Sequence, residues 1–155
     1  MITIKPVTGV INAVVKVPGS KSYTNRALVT AALADGDSAI TNALFSDDTK
    51  YMASSLNVLG IPVEEQQNIS KFIVQGKGGA VPERQANLFV GNAGTAMRFL
   101  TAMLTLGNGV YEIDGVTRMR QRPIQDLLDG LRQLGADAVS KNNDGCPPVI
   151  IRAKG

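Results

Sequence analysis

Asn12-Ala-Val-Val-Lys-Val-Pro-Gly-Ser-Lys-Ser-Tyr-Thr-Asn-Arg-Ala-Leu28 changes character at its middle. Residues 12–17 are rich in β-branched side chains and read as a strand, and Pro18-Gly19 stops it. From 20 to about 34 the apolar residues Ala27, Leu28, Ala31 and Ala32 recur at helical spacing, and Asp35-Gly36 supplies the stop. Downstream, 38–44 reads as a strand, Ser46-Asp47-Asp48 opens a second helix running to about 59, Gly60 closes it, and 61–65 and 71–75 read as paired strands.

The second half repeats that order. A helix from about 93 to 106 is followed by Gly107, a strand 110–114, a helix from Pro123 to 134, Gly135, and strands 137–141 and 149–153. Gly36 corresponds to Gly107, and Leu59-Gly60-Ile61 to Leu134-Gly135-Ala136, offsets of 71 and 75 residues. This is the pattern of an internal duplication. Two β-α-β-α-β-β units, at approximately 12–75 and 87–153 and each with an incoming strand, predict an α/β domain with helices packed behind mixed sheets.

At 155 residues and 44% apolar composition the chain is one ordinary domain. A chain of this length buries about 68–70% of its unfolded surface, so the core needs no covalent staple. The single cysteine, Cys146, has no intramolecular partner, and with no histidine the usual zinc ligands are missing. Ser-His-Asp and Cys-His catalysis fall for the same reason, so chemistry here rests on Lys, Arg, Asp, Glu or Ser, and no cofactor is implied. No run approaches 18 apolar residues, and Met1-Ile2-Thr3-Ile4-Lys5-Pro6 lacks a signal-peptide core, which predicts a cytoplasmic protein without a membrane partner. A net charge of +3 is too mild to indicate nucleic acid. Tyr23, Phe45, Tyr51, Phe72, Phe89, Phe99 and Tyr111 are scattered rather than interleaved with basic residues, so they are expected in the core, and Met97 and Met103 on a helix face.

Three clusters carry the chemistry. In the first, Ser20-Lys21-Ser22-Tyr23-Thr24-Asn25-Arg26 places two cations in the opening turns of a helix. The helix start already carries about half a positive charge, so Lys21 and Arg26 destabilise it unless an anion compensates them. A nucleotide P-loop does not fit, because no glycine directly precedes Lys21. In the second, Gly91-Asn92-Ala93-Gly94-Thr95-Ala96-Met97-Arg98, small residues open backbone N–H groups to a ligand, although the same string also serves as a plain turn and cap. The third, Arg118-Met119-Arg120-Gln121-Arg122-Pro123, sets three arginines at alternating positions. In an extended segment they point the same way, and planar guanidinium forks suit carboxylates or phosphates. Asp47 and Asp48 are read as capping a helix, with a place facing the site as the alternative. Cys146 lies in a turn-like segment without an adjacent cation, so nothing supports a reactive thiolate.

Together, Val17-Pro-Gly-Ser-Lys-Ser-Tyr-Thr-Asn-Arg-Ala-Leu28, Gly91-Asn-Ala-Gly-Thr-Ala-Met-Arg98 and Gly115-Val-Thr-Arg-Met-Arg-Gln-Arg-Pro-Ile124 resemble 5-enolpyruvylshikimate-3-phosphate (EPSP) synthases. The likeness runs from the first strand to Cys146-Pro147-Pro148, essentially the whole chain, and corresponds to about the first third of that enzyme. It implies transfer of the enolpyruvyl group of phosphoenolpyruvate to the 5-hydroxyl of shikimate 3-phosphate with release of phosphate. It also implies the enolpyruvyl transferase fold of two domains of three units each, so the chain would hold two units of one domain, with a third unit and second domain outside it. By this resemblance Lys21 lies between the substrates, Ser22 and Arg26 hold shikimate 3-phosphate, and Asn92, Gly94 and Arg122 contact phosphoenolpyruvate. The proton-transfer acids would belong to sequence beyond this chain.

Beside an enzyme portion stands a second reading, a binding module that retains an anion-holding half-site without turnover and waits for the complementary remainder of the synthase. A UDP-N-acetylglucosamine enolpyruvyl transferase relative fits less well, since Cys146 is no convincing counterpart of that family's reactive cysteine. Apolar surface left open by a missing unit would favour self-association.

One position departs from the family's commonest motif: Phe99 follows Met97-Arg98 where many members carry proline. Phe restores a backbone N–H and adds bulk one turn behind Gly94 and Thr95. Inhibition by glyphosate, which mimics phosphoenolpyruvate, is therefore expected to change on Phe99→Pro in a complete enzyme carrying this segment; an unchanged inhibition constant would refute it.

Overall fold

In the computed structural model, which describes residues 2–155, the chain enters its first helix directly after Pro18-Gly19. Helix α1 (Lys21–Leu33) is capped by Ser20, whose Oγ accepts the Tyr23 N–H at 3.4 Å, and strand β1 (Asp35–Ile40) follows after one residue. Helix α2 (Asp47–Val58) starts behind a capping box of Ser46 and Thr49. Strands β2 (Val63–Gln66) and β3 (Lys71–Lys77) complete the first half. The second half runs β4 (Gln85–Phe89), α3 (Gly94–Leu104), β5 (Asn108–Asp114), α4 (Gln125–Gln133), β6 (Asp137–Ser140) and β7 (Val149–Lys154).

The strands form two sheets, ordered β1-β3-β2 and β4-β5-β7-β6. Within the second, β5-β7-β6 has the connectivity of the whole first sheet, and β4 is added in parallel to β5 through the α3 crossover. Helix α1 rests on β1 and β3, α3 on β5 and β7, and α2 touches β2 and β4, while α1, α2 and α3 also contact one another. A continuous apolar core results, with Leu28, Met52, Leu56, Phe72, Leu100 and Tyr111 all fully buried. Met97 and Met103 lie in it as the helical spacing predicts.

The recurring Leu-Gly pair closes α2 and α4 in the same way. Gly60 and Gly135 adopt φ of +78° and +92°, and the following residues reach back five positions, Ile61 N–H to Leu56 O at 2.9 Å and Ala136 N–H to Leu131 O at 3.0 Å. This left-handed closure satisfies the last carbonyls of each helix, and glycine takes it without a steric penalty.

Five expectations are corrected. Residues 12–17 form no strand: Val14, Val15 and Val17 are 101%, 78% and 67% exposed, and the segment belongs to neither sheet. The first sheet is therefore purely antiparallel rather than mixed, lacking a counterpart to β4. The strand expected at 38–44 begins earlier, at Asp35, because β1 pairs over its full length with β3 from Asp35↔Lys77 to Ile40↔Phe72. Helix α4 starts at Gln125 rather than Pro123, with Ile124 at its N-cap position and its N–H bonded to Gly145 O at 2.9 Å. Of the aromatic residues assigned to the core, Tyr23 and Phe89 are instead exposed.

The two closures differ in their surroundings. A Cβ on Gly60 would meet Pro82 Cβ at 2.9 Å, whereas Gly135 faces open space. Gly135→Ala is expected to cost about 1–2 kcal/mol from backbone conformation alone, and Gly60→Ala clearly more, as measured by urea unfolding of both variants.

Candidate functional site

The first cluster begins at the capped end of α1, where the first-turn N–H groups have no acceptor within the helix. No acidic residue occupies the first turn of α1 or of α3, whereas α2 carries Asp47 and Asp48 there and α4 carries Asp126. The two helix starts bearing the predicted ligand residues are thus the two that carry no carboxylate of their own against the helix dipole. Thr24 locks the entry to α1 by donating to Ser20 O at 2.9 Å and accepting the Leu44 N–H at 3.0 Å. Gly19 fits because any Cβ there would overlap the backbone of Asn42 and Ala43.

Specific contacts draw the helix starts together. Lys21 Nζ lies 3.1 Å from Asp48 Oδ2, joining the first turns of α1 and α2. Gly91, at φ +54°, leaves room for the Tyr51 ring of α2, which a side chain at 91 would overlap. Arg98 of α3 donates to Pro123 O at 2.8 Å and to Gly94 O at 3.3 Å, tying α3 to the approach to α4. Arg122 Nη1 donates to Asn92 O at 3.0 Å, and its guanidinium fills the place of the missing Gly94 side chain. Asn92, Gly94 and Arg122 therefore form one cradle, with the guanidinium laid across the start of α3.

The third cluster is not extended. Residues Met119–Gln121 form a single 3-10 turn, because the fully buried Met119 is drawn into the core and its N–H bonds Val116 O at 2.8 Å. The three arginines diverge as a result. Arg118 reaches Gln121, Arg120 pairs with Asp114 at 2.5 Å, and only Arg122 faces the start of α3. Burial pushes the Asp114 carboxyl up, but the Arg120 guanidinium and the Gly115 N–H outweigh it and hold the group below the usual carboxylate value.

Among the described residues, Arg26, Arg98 and Arg122 have no carboxylate within salt-bridge distance. Lys21, Ser22, Arg26 and Asn92 are exposed, Arg122 is half-buried and Gly94 is buried, so the six predicted ligand residues present an open face. A cavity of about 700 Å³ is lined by Lys16, Pro18, Asn42, Phe45 and Asn68 among others, and by none of those six. Asp48 is the residue whose place the motifs left open. The capping of α2 by Ser46 and Thr49 was its available signal, since that frees Asp48 to reach Lys21.

Residues 6–155 match the model of the family described as EPSP synthase (3-phosphoshikimate 1-carboxyvinyltransferase). A 3-phosphoshikimate 1-carboxyvinyltransferase of Nostoc sp. is 51% identical over 141 residues, covering 91% of this chain and 33% of the relative. The chloroplastic 3-phosphoshikimate 1-carboxyvinyltransferase of Solanum lycopersicum is 49% identical over 152 residues, covering 94% and 29%. Among solved structures, EPSP synthase from Acinetobacter baumannii superposes with a TM-score of 0.83 at 28% identity over 90% of this chain and 31% of that one. The chain spans about a third of the length of the curated relatives it matches.

Because the Asp114 carboxyl titrates low in the folded protein, its pairing stabilises the fold above the unfolded carboxylate pKa of about 3.9. That stabilisation is lost as pH falls from there through the folded value. Arg120→Gln is expected to lower stability at neutral pH, with the gap to the parent closing below about pH 4, in unfolding titrations across pH.

Proposed function

The chain belongs to the EPSP synthase family, and from that premise we propose that it supplies the part of a 3-phosphoshikimate 1-carboxyvinyltransferase that holds both anionic substrates. The observation carrying this reading is the convergence of the starts of α1 and α3, neither with an acidic residue in its first turn, beside Arg26, Arg98 and Arg122, which have no carboxylate partner among the described residues. Shikimate 3-phosphate and phosphoenolpyruvate are both polyanions, the class of ligand such a face needs. Ser22 and Arg26 take the carboxylate end of shikimate 3-phosphate, and Asn92, Gly94 and Arg122 take phosphoenolpyruvate. Lys21 lies between them, with Asp48 fixing its ammonium.

In this reaction the phosphoenolpyruvate methylene takes a proton while the 5-hydroxyl oxygen bonds to C2 and gives up its own proton. The tetrahedral intermediate then loses phosphate and a methyl proton to restore the enol ether. Lys21 and Arg122 act as preorganised positive charge for that intermediate, already oriented by Asp48 and by Asn92 O. The groups that move the protons belong to the complementary remainder of the synthase, which closes over the open face. The isolated chain accordingly binds without turnover.

Calorimetry with the purified chain is expected to show binding of shikimate 3-phosphate that Arg26→Ala weakens at least about tenfold, as loss of a charge-assisted hydrogen bond requires. Mixed with both substrates at high concentration, the chain should release no phosphate. Turnover by the chain alone would overturn the half-site reading, and unchanged affinity in Arg26→Ala would overturn the assignment of the first cluster.

A further inference from the structure

Arg26 is the sixth residue of α1, and Phe99 is the sixth residue of α3. The 73 positions between them fall within the repeat offset, so the parallel packing of the two helices sets a cation opposite an aromatic ring. Arg26 Cζ lies over the Phe99 ring, 5.4 Å from its centroid, within the range of a cation–π contact. Arg26 has one other hold, Nη1 to Ser22 O at 3.0 Å, and no carboxylate partner among the described residues. Phe99 itself is fixed, half-buried at the head of an apolar seam with Val29, Leu33, Ala102 and Met103.

We propose that Phe99 is a positioning residue for Arg26, its ring holding the guanidinium so that the Nε and Nη2 donors, on the edge away from the Ser22 contact of Nη1, stay free for a carboxylate. A guanidinium seated on a ring uses its weakly hydrated face there and keeps its planar fork of donors at the edge, which suits bidentate carboxylate binding. A flexible arginine stem would otherwise be ordered only when the ligand arrives, at a cost in affinity. The residue at 99 thereby acts on the substrate held by α1, across the helix interface, and not only on the turn that precedes it on α3. This inference rests on the assignment of Arg26 to the shikimate 3-phosphate carboxylate.

The test compares the parent chain with Phe99→Leu, which keeps apolar bulk but loses the ring, and Phe99→Tyr, which keeps the ring. Two quantities are read: shikimate 3-phosphate affinity by calorimetry, and the Arg26 Nε–H resonance of the unliganded chain by NMR. Phe99→Leu is expected to weaken binding about two- to fivefold and to move the resonance out of the ring's field, while Phe99→Tyr stays close to the parent in both. Equal affinities in the parent and Phe99→Leu, equal losses in Leu and Tyr, or an unmoved resonance in Phe99→Leu would each overturn the proposal. Absence of binding by the parent would instead sink the half-site reading. The resonance would then decide the positioning role alone, a shift in Phe99→Leu supporting it and no shift overturning it.

Discussion

The mutual packing of α1, α2 and α3 is the constraint on which the rest of the molecule depends. Leu28 and Ala32 from α1, Met52 and Leu56 from α2, and Met97 and Leu100 from α3 are fully buried in one core. The small residues Ala31, Ala32, Ala53 and Ala96 in that core let the helices approach closely. With both sheets laid against these helices, the starts of α1, α2 and α3 are fixed close together, and so are the loops that feed them. Large-to-small changes in such a core leave cavities that relax only partly, so the site inherits its rigidity from apolar contacts beneath it.

Electrostatically, that arrangement is unfavourable without a ligand. Converging helix starts add partial positive charges, and Lys21, Arg26, Arg98 and Arg122 add formal ones. The protein offsets this selectively. Asp48 answers Lys21 and Asp114 answers Arg120, while the other guanidinium groups are held by neutral partners: Pro123 O and Gly94 O for Arg98, Asn92 O for Arg122, and Ser22 O with the Phe99 ring for Arg26. Neutral partners orient a cation without cancelling its charge, so the face keeps its attraction for anions and loses little to reorganisation when one arrives.

Much of the helical framework was legible because its signals are local. Helical periodicity, Ser20 and Ser46 as caps, and the Gly60 and Gly135 closures all act within one turn of where they are read. The misreadings share one cause, dependence on a distant partner. Residues 12–17 have strand composition, yet strand structure needs a paired neighbour, and the segment pairs with neither sheet. The alternation of Arg118, Arg120 and Arg122 suggested a common direction, but burial of Met119 folds that segment into a turn and separates them. Phe89 alternates correctly within β4, with a burial pattern that places it on the outer face.

The residues alone determined which chemistry is available: no histidine, one cysteine, and cations crowded at the starts of α1 and α3, a composition suited to holding anions. They also determined where α1 and α2 begin and where α2 and α4 end, since capping and left-handed closure are settled by neighbours in the chain. Only the tertiary structure decided which cations meet. It turned Arg120 toward Asp114, laid Arg122 across Gly94, brought Asp48 to Lys21 and set Phe99 under Arg26. Each of those pairings crosses from one element to another, and its geometry follows from how the core packs rather than from spacing along the chain.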